Sequence, residues 1–323
     1  MIRPIVSRML RTVATALPLV AVLAFPACQR APATNDDATL DVVCTTTMLT
    51  DIARAIAGED ARVTGLMGPG VDPHLYAMTR ADQKALLDAD LVIYHGLHLE
   101  GKMVEFLTEL GADSEDAAPG ERRKVVVAAA EAIPKERLIQ NPLFGEYPDP
   151  HVWFDLELWQ AAVRRVAEAF VTADPSRREA YLERGRRYES ELAELHTWAK
   201  SQAEKIPESR RRIVTSHDAF NYLGRAYGFD VRGLQGISTE TQAGLKDIEE
   251  AIQYIREHDV PVVFAETSVR SAEIEHVARN AGCRLSDRKL YSDALGSPAT
   301  PEGTFTGMFR HNLRTIVEEL GGN

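Results

Sequence analysis

DPSRREAYLERGRRYESELAELHTWAKSQAEK, running from Asp174 to Lys205, is the stretch on which the fold turns. Aspartate followed by proline marks a helix start, with the aspartate at the N-cap and the proline at the first helical position. Tyr181, Tyr188, Leu192, Leu195 and Ala199 then fall on one stripe, while Arg, Glu and Lys fill the other faces. It is the longest uninterrupted helical pattern in the chain, and at 1.5 Å per residue it measures roughly 45 Å, the dimension of a whole domain. Such a rod either lies on one domain or joins two, and its flanks decide between these.

Ahead of it, strand and helix patterns alternate. Leu40 to Thr47 reads as a strand, Thr50 to Ala57 as a helix and Val63 to Met67 as a strand. Thr79 caps a helix to about Ala89, Leu91 to Tyr94 is a buried strand, Leu99 to Leu110 a helix and Val125 to Ala129 a strand. Ser114 to Tyr147 is otherwise loop, and Asp155 starts the helix that closes this half. After the rod the series begins again, with strands at Arg212 to Thr215, Val231 to Leu234 and Val260 to Phe264. Helices are expected at Ala219 to Tyr227, Gly244 to His258, Ser271 to Ala281 and Thr304 to Leu320. The expected fold is therefore α/β, with two similar lobes, each a mainly parallel sheet flanked by helices, joined by one long rigid helix. The divisions are an N-terminal lobe at 40–173, a linking helix at 174–206 and a C-terminal lobe at 207–323.

With 323 residues, 45% hydrophobic and 26% charged, the chain is long enough for two globular domains. Its formal net charge of -11 argues against nucleic acid as a partner and favours cations near the surface. Residues 1–28 carry Arg3, Arg8 and Arg11, then an apolar run broken by Pro18, as in a secretory signal and unlike a membrane span. Phe25-Pro26-Ala27-Cys28 resembles a bacterial lipobox with Phe in the usual aliphatic position, so an exported protein lipid-anchored through Cys28 is expected. Residues 29–39, rich in Ala, Pro, Asn and Asp, read as a tether. Cys44 and Cys283 are too few for a disulfide framework and read as buried free thiols.

The chemistry lies in a repeated tripeptide, Asp72-Pro73-His74 and Asp149-Pro150-His151. Proline fixes its own φ and drives the preceding residue toward extended geometry, so each copy should be a stiff loop that aims an imidazole. His217, directly after a buried strand in Thr215-Ser216-His217-Asp218, and Asp293, in Tyr291-Ser292-Asp293-Ala294-Leu295-Gly296, supply two further donors. Thr215, Ser216 and Asp218 are available to cap the helix after His217, whose N-terminal field would keep that ring neutral; Gly296 would permit a tight turn behind Asp293. All four candidates fall at loops beyond strand ends, where open parallel sheets bind ligands. Three nitrogens and one carboxylate suit a divalent ion such as Zn²⁺. Glu266, just after a strand, is expected to support the ligands rather than join them. His95 and His98 are expected behind the ligands or at the surface, and His196, His258, His276 and His311 as structural or solvated groups.

These segments resemble the four signature segments of the manganese and zinc substrate-binding proteins of bacterial ABC importers, from about Asp41 to Leu320: Asp72-Pro73-His74, Asp149 to Asp155, Thr215 to Phe220 and Leu290 to Gly296. The resemblance implies two α/β lobes on a rigid helix with one metal held between them, by His74 and His151 from one lobe and His217 and Asp293 from the other. It implies capture of Mn²⁺ or Zn²⁺ as cargo, without a catalytic cofactor, and delivery to an ABC permease with a cytoplasmic ATPase; a monomer is expected. Many zinc-specific members carry a His-rich loop in the first lobe, and Ser114 to Pro148 contains no histidine. Against that, divalent affinity at a nitrogen-rich site rises from Mn²⁺ to Zn²⁺, so both metals stay open. An exported zinc hydrolase is the alternative, with Glu266 as its candidate base, though no His-Glu-x-x-His occurs.

Overall fold

A computed structural model describes residues 39–115, 124–140 and 147–321. The signal sequence, Cys28 and nearly all of the tether lie outside the described residues. Val42, Cys44, Leu91 and Ile93 face one apolar cluster, and Val43 and Val92 face another. That two-residue alternation makes buried strands covered on both faces. The first lobe accordingly runs β1 (Leu40–Cys44), α1 (Thr47–Ala57), β2 (Ala61–Gly65), α2 (Arg80–Asp88), β3 (Leu91–Tyr94), α3 (Val104–Glu115), β4 (Val125–Ala128) and α4 (Leu156–Ala173). Its strands are all parallel, in the order β2-β1-β3-β4.

A 3-10 turn at Pro175–Arg177, capped by Asp174, leads directly into α5 (Arg178–Ala203), a helix of 26 residues. Tyr181, Tyr188, Leu192, Leu195 and Ala199 are all buried along it. They join a core that also takes in Leu40 and Trp159 of the first lobe and Ile213 and Tyr222 of the second. The rod therefore packs into both halves. Gly185 is where it meets α4: a Cβ there would stand 2.9 Å from Ala167 Cβ, tighter than side chains tolerate.

The second lobe contains β5 (Arg212–His217), α6 (Asn221–Tyr227), β6 (Asp230–Gln235), α7 (Leu245–Glu257), β7 (Val262–Val263), α8 (Ala272–Ala281), β8 (Arg284–Leu285) and α9 (Phe305–Gly321). Parallel β5-β6 and β7-β8 pairs are bridged by Thr215 and Phe264, giving the order β6-β5-β7-β8. Relative to chain order this is the pattern of the first sheet: second, first, third, fourth. Among the described residues no helix is long and apolar enough to cross a membrane.

Several expected boundaries shift. β5 runs on through His217, so that histidine is the last residue of the strand rather than the first after it. α6 then begins only at Asn221 and has no side-chain cap; Thr215 Oγ1 donates to His217 O, and Asp218 Oδ1 accepts from Gly233 N. Around Gly101–Met103 the chain forms a 3-10 turn before α3, because buried Glu100 gathers the His95 and Gly96 N–H groups and the Thr45 hydroxyl. Cys44 is buried and Cys283 half-buried, both free.

Candidate metal centre

His74, His151, His217 and Asp293 come together from four separate loops and strand ends, each offering one donor atom within 4.8 Å of all the others. All four are buried. His151 Nε2 lies 3.4 Å from both His74 Nε2 and His217 Nε2, and 3.3 Å from Asp293 Oδ1. His217 Nε2 lies 3.4 Å from Asp293 Oδ2. Donors arranged tetrahedrally about an ion at 2.0–2.1 Å stand about 3.3–3.4 Å apart, so these edges have the dimension of a coordination shell.

The two Asp-Pro-His copies are not equivalent. Asp149 Oδ1 accepts from both the His151 backbone N–H (2.9 Å) and its ring Nδ1 (2.8 Å). That contact puts the ring proton on Nδ1 and turns the Nε2 lone pair inward. Tyr222 Oη donates to Asp149 O, Asn221 Nδ2 donates to Asp149 Oδ2, and His95 Nε2 meets Pro150 O at 2.8 Å. Asp72 Oδ1, by contrast, accepts only the backbone N–H of His74, and its Oδ2 is held by Thr239 Oγ1 at 2.5 Å. Identical tripeptides thus hold one ring directly and leave the other supported through its loop.

His217 is oriented by Glu266, whose Oε2 lies 2.5 Å from His217 Nδ1 while Oε1 accepts its backbone N–H at 2.9 Å. Glu266 sits just past β7, bridged to Leu290, and does not belong to the inward-facing four. Gly233 lets β6 pass behind this turn, since a Cβ there would stand 2.4 Å from Asp218 N. Asp293 Oδ2 accepts from the Ser268 and Ser292 hydroxyls. Its Oδ1 is buried, with the His151 ring at 3.3 Å and no backbone or hydroxyl donor among the described residues, an acceptor that burial makes costly unless a cation meets it. Gly296 does not have the positive φ of a tight left-handed turn; it is required because a Cβ would press on Glu302 Cβ at 2.8 Å.

Charge follows this geometry. Burial works to lower the pKa of His217, but the Glu266 and Asp293 carboxylates outweigh it and hold the imidazole well above its ordinary value. At His151 burial is likewise outweighed, by Asp149 and Asp293. These carboxylates, not a helix N-terminus, set the charge on His217, contrary to the expectation from sequence. At His74 the balance reverses: burial outweighs the pull of the Asp293 carboxylate and drives the ring down to about 3. Burial would raise Asp293, but the two histidines pull it well below the usual carboxylate range.

Of the other histidines, His95 is buried behind His151, against Trp153 and Trp159. His98 stacks on Tyr147, and His196 bonds Tyr227 Oη. His258 and His276 are exposed, and His311 meets Lys289 O. Sequence reasoning missed Asp149 as the partner of the His151 ring, although an acid two residues before a histidine was the available signal. It also missed Trp153, whose Nε1–H crosses to Ser292 O at 3.1 Å beside Asp293.

Known proteins share this architecture. Residues 42–319 match the family described as "ZnuA: Zinc-uptake complex component A periplasmic". Manganese-binding lipoprotein MntA of Bacillus subtilis (strain 168) is 43% identical over 288 residues, which cover 88% of this chain and 90% of that protein. Zinc-binding protein TroA of Treponema pallidum (strain Nichols) is 39% identical over 290 residues, 86% of this chain and 88% of that one. The solved structure of periplasmic zinc-binding TroA from Treponema pallidum superposes with a TM-score of 0.81 at 38% identity, covering 87% of this chain and 99% of the other. The chain belongs to the ZnuA family of periplasmic zinc-uptake components.

Proposed function

We propose that this protein captures a divalent transition metal, Mn²⁺ or Zn²⁺, outside the cytoplasmic membrane and hands it to an ABC permease driven by a cytoplasmic ATPase. The observation that carries the reading is the buried cluster of three imidazole Nε2 atoms with the Asp293 carboxylate. His74, His151, His217 and Asp293 are the ligands in this proposal, with Asp149 and Glu266 fixing two of the rings. Relatives named for manganese and for zinc both support a divalent cargo. The protein works as a monomer of an N-terminal lobe (40–173), a linking helix (174–206) and a C-terminal lobe (207–323). It is held at the membrane by lipid on Cys28, as relatives named lipoproteins suggest.

The protein acts by binding, not by catalysis. In the hydrolase alternative Glu266 would be the base, but both of its oxygens are engaged by His217. Asp293 stands where a catalytic site keeps an open position for water.

Equilibrium titration of metal-stripped protein beginning after Cys28, with Mn²⁺ and Zn²⁺ separately and in competition, tests the reading. One ion per chain is expected, with Zn²⁺ the tighter on the nitrogen-rich set. His217→Ala should lose affinity sharply and keep its fold; full affinity in that variant would refute the four-ligand site.

A further inference from the structure

Two of the inward-facing residues sit beside bonds that tie the two lobes together. Beside His151, Tyr222 and Asn221 of the second lobe both bond Asp149. Beside Asp293, Trp153 Nε1 reaches Ser292 O, and Leu295 N donates to Thr47 Oγ1 at 2.8 Å. The His74 side is built differently. Among the described residues, the loop from β2 to α2 that carries His74 makes one hydrogen bond to the second lobe, from Thr239 Oγ1 to Asp72 Oδ2. Thr239 is itself buried, on the connection from β6 to α7.

Directly outside this bond lies a cavity of about 180 Å³ lined by His74, His98, Gly101, Tyr147, Ser238 and Glu240. His74 is the one member of the inward-facing four that lines it, and Ser238 and Glu240 flank Thr239. His74 thus faces this cavity, beside the connection that Thr239 pins. His74 lacks a carboxylate behind its ring, so its position depends on the loop, and the loop's cross-lobe anchor is this hydrogen bond.

We propose that the Thr239–Asp72 hydrogen bond is a clasp that controls how fast metal enters and leaves: His74 closes last on an arriving ion and parts first from a departing one, and Thr239 is a positioning residue for that step. The proposal rests on the metal-binding reading above. Opening needs no rotation of the lobes about α5, only release of one donor from one carboxylate. A hydrogen bond to a charged acceptor is among the stronger single contacts in a protein, so its loss should be visible in kinetics.

The test is stopped-flow association and chelator-chased release of Mn²⁺ and Zn²⁺, using full-length wild-type protein and the variants Thr239→Val, Thr239→Ser, Asp72→Asn and the double variant Thr239→Val/Asp72→Asn. Valine keeps the shape and removes the hydroxyl. It should speed release by about tenfold or more and speed association as well, so that affinity changes less than either rate. Serine should restore wild-type rates. In the Asp72→Asn background the valine substitution should add little, because both changes cut one contact. Wild-type release rates in Thr239→Val, serine behaving like valine, or fully additive effects would each overturn the clasp. Failure of the wild-type protein to bind either metal would instead overturn the metal-binding reading, and the clasp with it.

Discussion

Asp149 and Glu266 stand outside the inward-facing four, yet they decide which nitrogen of His151 and His217 faces inward. Loss of such an outer partner typically costs 10–100-fold in metal affinity. Glu266→Gln, which keeps shape and loses charge, should therefore weaken binding by about 10–100-fold with an unchanged circular dichroism spectrum; unaltered affinity would show that Glu266 is not what aims His217. The same carboxylates give a pH dependence. They raise the pKa of His151 and His217 above the ordinary 6.5 in the metal-free protein, and a protonated ring cannot ligate. Affinity should fall as pH drops, and binding near neutral pH should release protons, measurable by calorimetry in buffers of different ionisation enthalpy. For the metal-free fold the sign is reversed. Groups with raised folded pKa values contribute stability that is full below the unfolded value and fades as pH rises through the folded ones. Bound metal would then support the alkaline side.

At the scale of elements, α5 serves the site by keeping α4 and its preceding Asp149-Pro150-His151 loop in place. Asp155 caps α4 through the Glu157 and Leu158 N–H groups and receives Arg225 of α6 at 3.3 Å, so the helix start just after His151 is fixed from both lobes. Gly185 is the contact to disturb. Gly185→Leu would force α5 away from Ala167 and should destabilise the protein by about 1–3 kcal/mol in urea unfolding, as overpacking does. An unchanged unfolding midpoint would mean that α4 and α5 are not closely packed at this point. Long, strongly periodic elements such as α5, with every member of its predicted stripe buried, were legible in the sequence. So was the Asp155 cap, a one-residue signal with a local cause. The extension of β5 through His217 was not, because its pairing with Gln235 and the Gly233 approach come from β6, a partner no local pattern reveals. The convergence of His74, His151, His217 and Asp293 was readable because a repeated tripeptide and strand-end positions announce themselves. The inequality of the two tripeptides was not: it arises from Tyr222, Asn221 and Thr239, which reach Asp149 and Asp72 across 72 to 167 residues of sequence.

Over the whole molecule, a core continuous through α5 and both lobes opposes wide hinge opening. Metal should therefore act on stability and local loops more than on the relation of the lobes. A ligand that binds the folded state alone stabilises it by about 2.7 kcal/mol at one hundred times its dissociation constant, so saturating Zn²⁺ should raise the melting temperature in a concentration-dependent way. The shift should be lost in His217→Ala. Small-angle scattering of the metal-free and metal-loaded protein should give nearly equal radii of gyration; a large contraction on loading would show that the lobes do rotate about α5.

The most direct test of the site is X-ray absorption at the metal edge of protein loaded with one equivalent of Zn²⁺. Convergence of the four buried donors predicts one ion per chain in a shell of three imidazoles and one carboxylate, with no sulfur. A shell with two or fewer imidazoles, or with a thiolate from Cys44 or Cys283, would contradict it.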